Sequence, residues 1–428
     1  MHILIENGTV NDPQQSLNEI RHIYIKNNSI VAVLTLEELS NAPFSRDSAD
    51  IVYDARGQII CPGLVDMHVH FRDPGQEYKE TIETGCKAAA QGGITDVCCM
   101  PNTKPVNDQP EITKYMIEKA RSLGGTRVHP IAAISPGSNG KGLTEMGLLL
   151  EAGACGFTDD GQPVTDSQLM RRAMEYARSF DALIISHCED LRLAEGVMNE
   201  GSVSTRMGLA GIPNAAESIM VSRDIALCEL TGSRLHIAHV STAQSVEAIK
   251  FAKEKGLPVT AETAPHYFTL TDSAVVEYDT HAKMNPPLRT EIDREAIRNA
   301  LAQGIIDVIA TDHAPHSDLE KMVPFDQAAN GIIGLETSLT LGLKLVHDNL
   351  LTLTQLIEKM SVNPAKILKI PEKRIARGYP ADLTIFDMAM KHTINKDLFQ
   401  SKSRNTPFDG WTCQGKVLQT IINGRFCL

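Results

Sequence analysis

The chain has 428 residues, of which 42% are hydrophobic and 22% charged, a composition ordinary for a folded protein with a sizeable core. The formal net charge is −12 with no basic stripe, which argues against a nucleic-acid partner and assigns the acidity to solubility. No apolar run reaches the roughly 18–20 residues of a membrane span, no secretory signal opens the chain, and the nine cysteines lack C-x-x-C spacing. Cys98, Cys99 and Cys155 lie in apolar runs. The cysteines therefore read as reduced core residues of a cytoplasmic protein.

In chain order, residues 1–57 read as short strands. An Asn7-Gly8 turn interrupts the first, and "HIYIKNNSIVAVL" is strand, Asn-rich turn, strand. The other end mirrors this, with "ADLTIFD" (381–387) and "VLQTIINGRF" (417–426), the latter turning at Asn423-Gly424. Neither end can bury a two-layer core alone. Residues 1–57 and 371–428 are therefore expected to pair into one small β-sandwich module.

Residues 58–370 alternate short apolar runs with helical patterns that end in glycine, for example "EYKETIETGCKAAAQGG" and "IDREAIRNALAQG". Alternation of this kind predicts parallel βαβ units. The fold class is therefore α/β, a (β/α)8 TIM barrel with the terminal β module appended, and the functional groups belong at the C-terminal ends of the strands.

The apolar runs end in polar residues: His68 and His70, Asn102, Thr158 to Asp160, His187, His239, Glu262 with His266, and Thr311 to His313. Strand ends are polar because loops begin there, which accounts for Ser, Asp and Asn but poorly for repeated His. His68 and His70 are i, i+2 on a strand and point the same way, so both imidazoles can face one metal ion. His187 and His239 raise the nitrogen donors to four, and Asp160 and Asp312 add two hard anions. That ligand mix suits zinc, with manganese or cobalt as alternatives. Six ligands fit two ions better than one. A carboxylate bridge would hold the two together; Asp160 is the candidate and Asp159 its structural competitor.

Longer motifs narrow the reading. "DMHVHFRDPGQEYKETIETG", "MPNTKPVND", "GFTDDGQPV", "ISHCED", "IAHVSTAQS", "AETAPHYFTL", "MNPPLR", "ATDHAPH", "GIIGLETSL" and "SKSRNTPF" resemble, over nearly the whole chain, class I bacterial dihydroorotases of the amidohydrolase superfamily. The resemblance implies reversible hydrolysis of dihydroorotate to N-carbamoyl-L-aspartate in pyrimidine synthesis. It also implies two Zn2+ per subunit. His68, His70 and Asp312 would bind the first ion, His187 and His239 the second, and Asp160 would bridge.

Further roles follow from the same resemblance. Asp312 would be the catalytic proton carrier. Arg72, Asn102 and His316 would hold the substrate carboxylate, His70 would border the substrate, and Asn285 with the backbone of Asn330 and Gly331 would contact the ring. Relatives commonly carry Pro-Phe before Gly331, where this chain has Ala329-Asn330. Residues 316–330 lack periodicity and are expected to form a mobile segment over the site.

Hydantoinases and dihydropyrimidinases bridge with a carbamylated lysine, and "GACGFTDDGQPV" contains none. A non-catalytic dihydroorotase-like subunit, the other rival, would have lost metal ligands, and all six positions are filled here. The resemblance further implies a homodimer and leaves open an association with aspartate transcarbamoylase. His236 reads as core or outer to the site, His266 as a neighbour of Asp312, and His2, His22, His281, His347 and His392 as surface or turn residues.

Overall fold

The computed structural model describes residues 1–44 and 46–427. Its centre is a succession of parallel strands separated by helices. Leu64–Val69, Ile94–Cys99 and Arg127–Pro130 pair in parallel. Leu183–Ser186, Arg234–Ile237, Val259–Thr263 and Val308–Ile309 form a second parallel set. Isolated parallel bridges lie between these sets: Ala132 to Phe157, Phe157 to Ile184, and Val69 to His313. The run "ACGFTDD", expected as a strand, is reduced to the two bridges of Phe157. Beyond it the Asp159 carboxylate accepts from the amide of Ser135, and the Asp160 amide donates to the Thr158 hydroxyl.

Helices start and stop where the sequence supplies the chemistry. Thr81 and Thr84 form a reciprocal cap on Ile82–Gln91, satisfying amides that have no partner inside the helix. Ala215–Thr231 ends at Gly232, which adopts the left-handed conformation (φ 67°) that glycine reaches without Cβ strain. Met67, Cys98, Leu183 and Val308 from four strands, with Ile131 and Ala238 just past two others, share one buried cluster. Complete burial of the Met, Ile, Leu and Val side chains contributes on the order of 2 kcal/mol each.

The chain ends join one mixed sheet of eight strands. His2–Asp12 runs antiparallel to Leu17–Lys26, and Ile59–Pro62 runs antiparallel to Leu383–Thr393, which carries Thr412–Ile422 beyond it. Asn423-Gly424 makes the expected hairpin, both residues with positive φ. Asn7-Gly8 does not. His2–Asp12 is one continuous strand, and Asn7 (φ 62°) marks a bulge where the register slips between Ile5 and Gly8. A side chain on Gly8 would collide with Ile60, so the glycine serves close packing against the neighbouring strand. His22, expected at the surface, is buried in this sheet. All nine cysteines are free thiols, and Cys61, Cys86, Cys98, Cys99, Cys188 and Cys228 are buried. Among the described residues, no helix is long and apolar enough to cross a membrane.

Candidate metal centre

Asp66 locks the start of the site. Its carboxylate accepts from the amides of His68 (3.1 Å) and Thr311 (3.1 Å), tying the strand Leu64–Val69 to the segment that carries Asp312. The His70 amide donates to the His313 carbonyl at 2.8 Å. Three non-glycine residues at these strand ends have left-handed backbone: Arg72 (φ 62°), His239 (φ 34°) and Asp312 (φ 49°). Such conformations are uncommon and persist where surrounding bonds impose them. Two of them, His239 and Asp312, bring an imidazole and a carboxylate to one centre, while Arg72 directs its guanidinium to Pro315 and His316.

The six expected ligands meet there. Asp160 Oδ2 lies 3.4 Å from Nε2 of both His68 and His70. Its other oxygen, Oδ1, lies 3.6 Å from His187 Nδ1 and 3.6 Å from His239 Nε2. Asp312 Oδ1 is 3.0 Å from His70 Nε2 and 3.5 Å from His68 Nε2. His187 Nδ1 and His239 Nε2 face each other at 2.8 Å. Asp159, the competitor, is engaged elsewhere, accepting from the amide and hydroxyl of Ser135.

The donor set fits metal. His68 Nε2, Asp160 Oδ1 and His187 Nε2 are buried without a hydrogen-bond partner, which is costly unless something else satisfies them. Two ligand atoms each about 2.1 Å from a tetrahedral ion stand about 3.4 Å apart, the spacing that recurs around Asp160. Among the described residues, His68, His70 and Asp312 form one cluster able to chelate an ion, and His68, Asp160 and His239 another. These clusters are consistent with a binuclear zinc site.

The electrostatics point the same way. Burial alone would lower the His187 pKa, but Asp160 and Glu189 outweigh it and push it up to about 10. Burial likewise opposes the charge on Asp160, yet His68, His187 and His239 hold its carboxyl well below the usual range. The carboxylates thus favour positive charge at the imidazoles they face.

Partners outside the six fix their orientation. Glu262 accepts from His68 Nδ1 at 2.5 Å and from His236 Nε2 at 3.2 Å, which places His236 outside the centre as expected. Asn102 Oδ1 accepts from His70 Nδ1 at 2.8 Å, a role its residue type alone did not disclose. A Cβ on Gly161 (φ 91°) would approach Asn102 Nδ2 to 2.8 Å, so glycine is needed beside it. His266 is buried edge-on against Tyr267 and its Nε2 is unpartnered. Glu189 is a residue that sequence reasoning missed. Its Oε2 lies 3.5 Å from His187 Nε2, and its Oε1 accepts from Asn285 Nδ2 at 2.9 Å. Its i+2 spacing from His187 was the available signal.

At the other end of the site, the buried Arg72 donates from Nε to the Pro315 carbonyl at 3.3 Å. His316 Nε2 donates to the Asn330 carbonyl at 2.8 Å, leaving its Nδ1 to face Lys79 Nζ at 3.5 Å. Burial, with Arg72 and Lys79 nearby, lowers the His316 pKa to about 3, so this imidazole is neutral. The Gly331 amide donates to the Lys283 carbonyl. The segment 316–330 includes a short helix, Asp318–Lys321, with a reciprocal cap from Ser317 and Glu320.

Comparison with known proteins agrees with this geometry. Residues 57–245 match the family described as dihydro-orotase-like. The dihydroorotase of Desulforapulum autotrophicum is 53% identical over 426 residues, covering 99% of this chain and 98% of that one. The dihydroorotase of Desulfotalea psychrophila is 58% identical over 374 residues, 87% and 89% of the two chains. Among solved structures, the L-hydantoinase (dihydropyrimidinase) from Arthrobacter aurescens superposes with a TM-score of 0.86 at 25% identity, covering 99% of this chain and 95% of that one. With such identity sustained from end to end, the chain belongs to the dihydroorotase family.

Proposed function

We propose that this chain is a dihydroorotase, which hydrolyses the cyclic amide of (S)-dihydroorotate to N-carbamoyl-L-aspartate, and closes the ring in reverse, as a step of pyrimidine synthesis. One observation carries the reading. In a chain more than half identical to curated dihydroorotases, an aspartate stands between two imidazole pairs with one oxygen toward each. That arrangement needs no bridging lysine and so favours a dihydroorotase over a hydantoinase.

His68, His70 and Asp312 would hold one zinc ion, His187 and His239 the other, with Asp160 between. When bound, the pair of cations supplies Lewis-acid polarisation and activates water near neutral pH. The protein's own groups do the rest. The water oxygen bonds to the ring amide carbon, the C–N bond breaks, and Asp312 carries the proton from water to the leaving nitrogen. Its carboxyl pKa is lowered: burial opposes ionisation, but His68 and His70 prevail, so it starts as the base the step requires. Arg72, Asn102 and His316 would orient the substrate acid, and Arg72 can grip it with two parallel N–H bonds. Asn285 and the backbone of Asn330 and Gly331 would border the ring beside His70.

The isolated bridges at Phe157 and between Val69 and His313 support a closed (β/α)8 barrel for residues 58–370. A separate apolar cluster shared by Ile3, Ile23, Ile60, Leu383 and Ile421 supports a β-sandwich module built from residues 1–57 and 371–428. We take the protein to be a cytoplasmic homodimer with no nucleic-acid or membrane partner, and aspartate transcarbamoylase to be a candidate associate. Metal analysis combined with a dihydroorotate-hydrolysis assay tests the function. The expected result is about two zinc ions per chain, with activity lost on chelation and restored by zinc. A metal-loaded chain that left dihydroorotate intact would refute it.

A further inference from the structure

The motif "SKSRNTPF" (401–408) lies far along the chain from every ligand, in the C-terminal segment, and the mechanism above does not use it. The structure lays it against the acid-binding end of the site. Asn405 is at the contact, 1% exposed. Its Oδ1 accepts from the His316 amide at 3.1 Å. Its Nδ2 donates to the carbonyls of Ala314 and Gly331, both at 3.0 Å. Its own carbonyl accepts from the Ile333 amide at 2.9 Å. The side-chain amide thus ties the 314–316 backbone to Gly331, and the residue's own backbone carbonyl extends the hold to Ile333. Aspartate offers no donors at neutral pH, and alanine makes none of the side-chain bonds.

What the clamp holds is specific. Pro315, between the two residues Asn405 bonds, supplies the carbonyl that takes Arg72 Nε. His316 carries the neutral imidazole beside that guanidinium. Gly331 (φ 129°) packs so tightly on Ala314 that a Cβ would come within 2.6 Å of the alanine methyl. The 401–405 segment is itself fastened. Ser401 and Lys402 donate to the buried Glu80, and the Ser403 hydroxyl donates to the Lys79 carbonyl at 2.7 Å. The C-terminal segment is therefore a rigid backing for the groups that face the substrate acid, while the metal-facing imidazoles lean on other partners, Glu262 and Asn102.

We infer that Asn405 is a positioning residue that presets Arg72 and His316 for the substrate carboxylate and Gly331 for the ring, so that the C-terminal segment governs substrate capture and not the bond-breaking step. This rests on the dihydroorotase reading of the site.

The test uses the zinc-loaded 428-residue chain and the variants Asn405→Ala, Asn405→Asp and, as control, Lys402→Ala, whose exposed side chain donates to the Glu77 carbonyl. KM and kcat for dihydroorotate, zinc content and thermal midpoint are measured together. The expected result for both Asn405 variants is a KM raised about ten- to hundred-fold with kcat within about three-fold of the parent. Zinc content should be unchanged and Lys402→Ala should match the parent. An unchanged KM, or KM, kcat and zinc failing together in folded variants, overturns the inference. A parent protein that loads zinc but leaves dihydroorotate untouched defeats the underlying reading instead.

If neither Asn405 variant folds, hydrogen exchange in the parent decides. The His316 and Ile333 amides should exchange as slowly as the parallel strands before any ligand is added. Rapid exchange there that slows only with N-carbamoyl-L-aspartate would overturn the presetting.

Discussion

Glu262 Oε1 lies 2.5 Å from His68 Nδ1. The bond leaves His68 Nε2 as the nitrogen facing Asp160 and Asp312, so the carboxylate sets which nitrogen is offered to a cation. Burial opposes the charge on Glu262, but His68 and His236 pull its carboxyl far below the ordinary range. Glu262→Gln should therefore weaken zinc binding about ten- to hundred-fold while leaving the fold intact, as read by competition with a chromogenic chelator. Unchanged zinc affinity would show that His68 is oriented by packing alone.

Arg72 is the one guanidinium set beside His70 and His316 among the residues expected to touch substrate. Burial lowers its pKa, partly offset by Asp312, yet guanidinium stays charged at any working pH. Arg72→Ala should raise KM for dihydroorotate by two orders of magnitude, about 3 kcal/mol, with a smaller effect on kcat. Arg72→Lys should restore little, because an ammonium cannot grip a carboxylate with two parallel bonds. Steady-state kinetics of the two variants check both statements, and an unaltered KM in Arg72→Ala would remove the anchor.

Asp312 combines a strained backbone (φ 49°) with a central place in the site. Asparagine tolerates the left-handed region better than alanine does and keeps the shape, but it cannot carry a proton. Asp312→Asn should lower kcat by at least about a hundredfold with a near-parental thermal midpoint. Asp312→Ala should abolish turnover and cost some stability as well. Circular dichroism melts alongside turnover assays separate the two effects, and substantial turnover in Asp312→Asn would assign the proton transfer elsewhere.

The imidazole pattern was legible because it depends on strand periodicity. His68 and His70 two apart, and His187 and His239 after apolar runs, follow from side chains alternating along an extended chain. The terminal hairpin at Asn423-Gly424 was legible for a similarly local reason. Asn7-Gly8 carries the same pair of residue types yet forms a bulge, because the choice between turn and bulge is made by the facing strand Leu17–Lys26 and not by the dipeptide. Glu262 with His68, Asn102 with His70, and Asn405 with His316 are contacts between residues 194, 32 and 89 apart in sequence. No spacing rule reaches that far, so the orienting partners emerged only from the folded arrangement.

Lys321 ties the same loop to pH. It is 1% exposed, and its Nζ donates to the carbonyls of Lys283 (3.1 Å) and Ala329 (2.7 Å), two acceptors that suit the two N–H bonds of a neutral amine. Burial, reinforced by Lys283 and opposed by Asp279 and Glu320, lowers its pKa from 10.5 to about 7. The unfolded chain keeps this proton up to about pH 10 while the folded chain releases it near 7. Between those values the unfolded state binds more protons, so this group makes stability rise with pH, by at most about 1.4 kcal/mol per pH unit. Below pH 7 the cost of burying the charge is present in full. Lys321→Met removes the titration, so the stability difference between parent and variant should shift in favour of the parent as pH is raised from 7 to 9 in urea denaturation at fixed zinc. A difference that stays constant over that interval would mean Lys321 keeps its ordinary proton in the fold.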